Sequence, residues 1–295
     1  MTPEGLAVRL TAILFPIFAI VAAGYFYGRK HKPEMAVANR LNIDVFVPAV
    51  VFAAIAGKSY DIASYAPLAL GALLVLLVCG LAAWPVARLM GVPAKTFVPP
   101  MMFNNSGNIG LPLALLAWGE DALPAAVIMF ITENFLHFSF GARLLDPHAR
   151  ILTLWRVPVV AASVAGLMVA IFKIPVWQPA MIAIKMLGDI SVPLLLFSLG
   201  VRMTDVAFGE WKITLVGALL RPLLGMAVAW GVVEAIGLQG QQAAMLIVFG
   251  SLPPAVLNFL FAERYRQEPQ RVASIVLIGN LAALLFLPLS LALVL

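Results

Sequence analysis

The chain has 295 residues, of which 63% are hydrophobic and 11% charged, with a mean hydropathy of +1.01. That leaves too little polar surface to clothe a water-soluble globule and places the chain among membrane proteins. The net charge of +5 does not point to nucleic acid, because the basic residues sit between apolar stretches rather than on one patch.

A spanning helix needs about 20 apolar residues. Ten such stretches follow one another near 6–27, 40–57, 64–90, 96–118, 122–142, 151–171, 180–200, 211–236, 241–262 and 271–294, and their short joins leave no room for a soluble domain. The first stretch lacks a basic leader and a small-residue cleavage site, so it reads as helix one rather than a signal peptide. The second holds Asp44, four residues after Arg40, a spacing that fits a pair within one helix and equally fits proton coupling. Cys79, the only cysteine, lies in the apolar third stretch and reads as a buried, inert thiol.

The fourth stretch is unusual. From Pro99 to Pro112 it packs Asn104, Asn105 and Asn108 with Ser106, Gly107, Gly110 and three prolines. Proline removes an amide donor and clashes with the preceding turn, and glycine tolerates unwound backbone. Unwound backbone at membrane depth is permitted only around a buried or wet cavity, so a break near the bilayer midplane is predicted. The fifth stretch carries Glu133, Asn134 and, one turn on, His137, where a protonated or hydrogen-bonded carboxyl and a proton relay both fit. In the seventh, Asp189 follows Lys185 by four. In the eighth, Arg221 precedes Pro222, either to pair with one of these carboxylates or to face an anion path. The ninth runs Ser251-Leu252-Pro253-Pro254 to Asn258 and predicts a second break. The tryptophans, Trp84, Trp118, Trp155, Trp177, Trp211 and Trp230, fall mostly near predicted span ends, as interface anchors do.

The chain also repeats itself. Arg40, Asp44, Val47, Pro48 and Phe52 recur in step as Lys185, Asp189, Val192, Pro193 and Phe197, while Phe103 matches Phe249 and Asn134 matches Asn280. Each half, 1–147 and 148–295, then holds five spans. An odd number puts the halves in opposite orientation, with Arg40 at the inner face and Lys185 at the outer, an arrangement typical of alternating-access carriers. With the N-terminus outside, 14 of the 19 basic residues, among them Arg29, Lys30, Arg143, Arg150 and Arg156, fall in inner joins. The outer joins offer Lys58, Lys173 and the acidic pair Glu120 and Asp121. The positive-inside rule therefore puts both termini outside.

Where two broken helices cross, each half-helix that starts at the break directs free amides and about half a positive charge at the centre, which makes a site for an anion. Asn104, Asn105, Ser106 and Asn108, with Asn258 from the other half, could donate to a carboxylate, and Pro112, Ser251, Pro253 and Pro254 shape the breaks. The alternative is that these amides cap the broken ends or bond between helices.

The run Asn104 to Pro112, with Ser251 to Ala255 leading to Ala262-Glu263-Arg264-Tyr265, resembles the auxin efflux carrier family. That family includes plant auxin exporters and bacterial carriers of malonate or malate. The resemblance covers the whole chain and implies ten helices, crossed broken helices 4 and 9, an elevator-like movement of one bundle against a scaffold, and a homodimer. Bile-acid sodium symporters are similar in general architecture, but no acidic and Gln cluster at the crossing resembles their sodium ligands. The long hydrophilic loop of many plant members is absent.

No enzyme constellation emerges. His31, His137 and His148 are scattered, Cys79 has no partner, no phosphate loop is present, and the neighbours of Ser106 in sequence supply only amides. The reading is thus an all-α, polytopic, inverted-repeat carrier in a bacterial-type inner membrane. Its partners are the lipid bilayer and a small organic anion, a mono- or dicarboxylate such as malonate, malate or an auxin-like acid, with no cofactor, metal or nucleic acid. A passive anion channel is the rival, since broken helices also build selectivity filters.

Overall fold

The computed structural model describes residues 3–56, 62–149, 158–205 and 211–295. Lys58, Arg150, Trp155 and Arg156, named above, lie outside them. Helices account for nearly all of the described chain. They are α1 (Pro3–His31), α2 (Ala36–Ala56, with a π turn over Asn42–Phe46), α3 (Ala66–Leu89), α4 (Ala94–Met102), α5 (Ser106–Trp118), α6 (Glu120–Leu145), α7 (Pro158–Ile171), α8 (Gln178–Arg202), α9 (Trp211–Ile236), α10 (Gly240–Ser251), α11 (Leu257–Arg264) and α12 (Pro269–Val294). Among the described residues there is no β-strand, only one isolated bridge.

Among the described residues seven helices, namely α1, α2, α3, α6, α8, α9 and α12, are long and apolar enough to cross a membrane, so the chain is a multi-pass membrane protein. Both stretches predicted to break do so. The fourth divides into α4 and α5 around extended Phe103, and the ninth into α10 and α11 around Leu252–Val256. Proline marks several starts: Pro67 in α3 and Pro269 in α12 stand in first turns, where the missing amide would have no partner anyway.

The helices sort into two groups by what they pack against. α1 lies along α8, and α2 lies against α7 and α8. In the other group α3 packs on α4, α6 and α9, while α10, α11 and α12 complete it around α9 and α12. Small residues set the closest approaches, as expected where apolar burial gives no net drive between helices in lipid. A methyl group on Gly24 or Gly200 would run into a carbonyl of the facing helix (Phe197 and Val21, respectively), so α1 and α8 touch backbone to backbone. Gly225 of α9 and Gly250 of α10 do the same in the second group. The groups meet where α1 touches α5 and α12, α2 and α7 touch α6, and the first turn of α5 touches α8.

Candidate functional site

The two breaks cross and hydrogen-bond to each other. Asn104 and Pro254 form an antiparallel bridge, closed by Asn105 N–H to the Pro253 carbonyl at 2.7 Å and Ala255 N–H to the Phe103 carbonyl at 3.0 Å. The unwound amides of each break are thus satisfied by the other, which is how irregular backbone survives at membrane depth. The asparagine side chains fasten the same knot. Asn104 Nδ2 donates to the Phe249 carbonyl at 2.7 Å, and Asn258 Nδ2 donates to the Phe103 carbonyl at 3.1 Å and to Ala255 at 3.0 Å. Phe103 and Phe249 are repeat mates, so each half's break carbonyl is held by the other half's asparagine. Asn105 Nδ2 donates to Asn280 Oδ1 at 2.8 Å, and its own Oδ1 accepts from Asn108 N–H at 3.3 Å. Ser251 Oγ donates to the Val248 carbonyl.

Asn108 is different. Its side chain is only half-buried and makes no hydrogen bond among the described residues. With Gly107 it lines a cavity of about 160 Å³ between the two helix groups, walled by Val256 and Leu257 from the start of α11. The first turns of α5 and α11 therefore converge here; Asn105 already caps the Asn108 and Ile109 amides, and the Ala255 and Val256 carbonyls take those of Asn258 and Phe259, whereas the Gly107 amide has no partner among the described residues. The rest of the wall is mostly apolar: Ile43 and Val47 of α2, Phe130 and Phe138 of α6, Leu195 and Leu199 of α8, with Asn39, Ser198 and Arg202 among them.

A second cavity of about 350 Å³ lies between α2, α5, the start of α6 and α8, lined by Val50, Ala53, Ala54, Leu111, Glu120, Lys185, Gly188, Asp189 and Val192. The N-terminal part of α2 lines the first cavity and its C-terminal part the second, while α8 does the reverse, so the two helices run antiparallel. Their linings correspond position by position at an offset of 145. Ile43, Val47, Leu195, Ser198 and Leu199 in the first cavity are the mates of Gly188, Val192, Val50, Ala53 and Ala54 in the second.

The ionisable candidates have different partners from those that spacing offered. Arg40 Nε does reach Asp44 Oδ2, at 3.4 Å. Lys185, however, pairs with Glu120 at 3.1 Å and not with Asp189, because the start of α6 lies across the second cavity from α8. This pair joins the two helix groups. Arg221, fully buried, pairs with no carboxylate among the described residues. Its Nη1 donates to the Gly250 carbonyl at 2.9 Å, a cation at the C-terminal end of α10, where the helix dipole favours one. Glu133 and His137, both buried, meet at 3.1 Å. Ser106 Oγ also donates to Glu133, at 3.2 Å, so the surroundings of Ser106 supply a carboxylate as well as amides. Twenty-seven residues separate the two, and no local spacing signals the contact. Among the described residues no three His, Cys, Asp or Glu side chains gather as a metal would require.

Residues 148–291 match the family described as "Membrane transport protein". Over 94% of its length the chain is 22% identical to an uncharacterized transporter of Methanocaldococcus jannaschii, covering 96% of that protein. It is 32% identical over 119 residues to auxin efflux carrier component 1 of Arabidopsis thaliana, 38% of this chain and 19% of that one. With auxin efflux carrier component 6 of the same plant the identity is 26% over 187 residues, 61% and 30% of the two chains. The chain thus spans less than a third of these plant relatives and nearly all of the archaeal one.

Proposed function

We propose that the chain, a membrane transporter by its likeness to the membrane transport family and to auxin efflux carriers, is a secondary carrier that moves a small organic anion by alternating access. The observation that carries this reading is the convergence of two half-helix starts and the unpartnered amide of Asn108 on one cavity between two helix groups. Such a place offers donors and partial positive charge, to which Arg202 in the wall adds a full one. The side chain of Asn108, the Gly107 amide and the positive ends of the α5 and α11 dipoles hold the carboxylate, while Asn104, Asn105 and Asn258 keep the crossing in shape. The walls of Phe130, Phe138, Ile43 and Leu195 suit one carboxylate on an apolar body better than the second carboxylate of malonate or malate. An indole-acetate-like acid is therefore the first substrate to try.

Ten crossings in two inverted halves, 1–147 and 148–295, agree with the antiparallel course of α2 and α8 and with the matched linings of the two cavities. In an elevator movement the group holding α5 and α11 slides along the scaffold of α1, α2, α7 and α8. The site then passes from the first cavity to the second, and the Glu120–Lys185 pair, which ties the groups together, opens. By the distribution of basic residues both termini lie on the outer face of an inner membrane, and a homodimer is the assembly that the family resemblance implies.

The experiment is counterflow in proteoliposomes with labelled indole acetate, malonate and malate, against protein-free vesicles. Uptake of one acid stimulated by unlabelled acid inside establishes a carrier. Flux that rises linearly with concentration and ignores the trans side makes the protein a channel.

A further inference from the structure

The carrier reading leaves one buried group without a task. Glu133 and His137 sit one turn apart on α6, 3% and 1% exposed, inside a span where ionisable side chains are costly unless they work. Glu133 is fully furnished with donors. Oε2 accepts from Ser106 Oγ at 3.2 Å and from Asn134 Nδ2 at 3.1 Å, and Oε1 faces His137 Nδ1 at 3.1 Å. With Glu133 ionised its two oxygens accept all three contacts, and His137 Nδ1 then carries the hydrogen it donates. The other ring nitrogen, Nε2, is buried and has no partner. The ring is stacked on Phe103 at 3.9 Å, nearly parallel, and lies 4.7 Å from Phe261 of α11. The pair is therefore built against both crossing segments, and through Ser106 it reaches the first residue of α5.

We propose that His137 Nε2 is a proton-binding site that loads together with the substrate anion, which makes the carrier a proton and anion symporter. This rests on the carrier reading above. With Nε2 bare, the pair carries one net negative charge beside the half-helix start that must receive an anion. One proton on Nε2 makes the pair an imidazolium and a carboxylate, neutral as a unit, and leaves the dipole of α5 to the substrate. Only the Nε2–H bond forms on loading, and it breaks when the anion is released. Other charged groups lie near the pair among the described residues. Arg221 of α9 is in electrostatic reach of Glu133 and of Cys79 on α3, with Nη1 held by Gly250 and Nε and Nη2 without a hydrogen-bond partner. Asp44 of α2 is paired with Arg40, and Lys95 of α4 is held by the Leu145 carbonyl. At the far end of α11, Arg264 lies by Tyr265 and Glu263 is exposed. α5, α7 and α10 carry no ionisable side chain.

Two measurements test it. In nanodiscs, the ¹⁵N signals of the histidines, assigned by difference with His137→Gln, should show Nε2 of His137 gaining a proton as pH falls through the range in which anion affinity changes. Calorimetry of indole acetate binding in two buffers of different ionisation heat should show about one proton taken up per anion. Affinity should then rise up to about tenfold per unit fall in pH. His137→Gln and Glu133→Gln should take up none and bind with pH-independent affinity. No proton uptake by the wild type, or unchanged uptake in His137→Gln, overturns the proposal. If no acid binds at all, the carrier reading fails, and the wild-type ¹⁵N titration alone decides the proton site: one unchanging form of Nε2 refutes it. That titration and Glu133→Gln also decide if His137→Gln does not insert.

Discussion

Replacing Asn108 by alanine separates a side chain that holds substrate from those that hold the fold. Its amide makes no hydrogen bond among the described residues, is half-buried, and stands in the wall of the first cavity, so its removal should leave thermal stability unchanged. A hydrogen bond to a charged group is worth about 1.5–3 kcal/mol. At about 1.4 kcal/mol per factor of ten, Asn108→Ala should weaken anion binding by about 10- to 150-fold. The Gly107 amide and the dipoles of the two helix starts remain, so binding is weakened rather than abolished. Asn108→Asp, which sets a negative charge where the carboxylate belongs, should bind more weakly still. The assay is equilibrium binding of labelled indole acetate to purified protein, with a melting curve for each variant. Wild-type affinity in a normally folded Asn108→Ala protein would remove this residue from the site.

Other substitutions test the frame around it. Asn104→Ala and Asn258→Ala each remove an inter-segment bond (2.7 Å and 3.1 Å); each should cost about 0.6 kcal/mol and at most about 1.7 kcal/mol, read as a lower melting temperature. Gly225→Ala drives a methyl into the Gly250 carbonyl and the Arg221 guanidinium. It should cost about 1–3 kcal/mol or more, and a wild-type melting curve would show that α9 and α10 can part. Glu120→Gln weakens the link of Lys185 to α6; since the two side chains are 53% and 61% exposed, the pair is worth about 0–1 kcal/mol. It should shift the balance between carrier states by no more than about fivefold, measurable as thiol reactivity in the second cavity. Lys173→Ala, an exposed change in the turn after α7, should leave counterflow unaltered.

The crossing was legible in the sequence because its cause is local: prolines, glycines and amides crowded into Pro99–Pro112 and Ser251–Asn258 leave the backbone no regular helix. The internal match of the two halves is likewise a local signal, with Pro48 inside α2 and Pro193 inside α8 at corresponding positions. What escaped the sequence depends on which helices lie side by side. Four-residue spacing permits Lys185 to pair with Asp189, but packing brings Glu120 within 3.1 Å instead. Arg221 suggested a carboxylate partner, whereas a helix-end carbonyl answers it, and carbonyls leave no mark in a sequence. The contact of Ser106 with Glu133 arises from the fold alone, and the amides of Asn104, Asn105 and Asn258, drawn together as anticipated, spend their donors on the crossing itself. Asn108, in the same run of residues, was not distinguishable from them without the cavity.

Val50 and Leu195 are repeat mates, 145 positions apart, that line the second and the first cavity; both are partly exposed, and the native Cys79 is buried. The most direct measurement is therefore the labelling of Val50→Cys and Leu195→Cys, one at a time, with a membrane-impermeant thiol reagent applied to either face of oriented vesicles. An inverted-repeat carrier should expose the two cysteines to opposite faces, with bound anion changing their reactivities in opposite directions. Labelling of both from the same face would contradict the inverted repeat and the alternating access built on it.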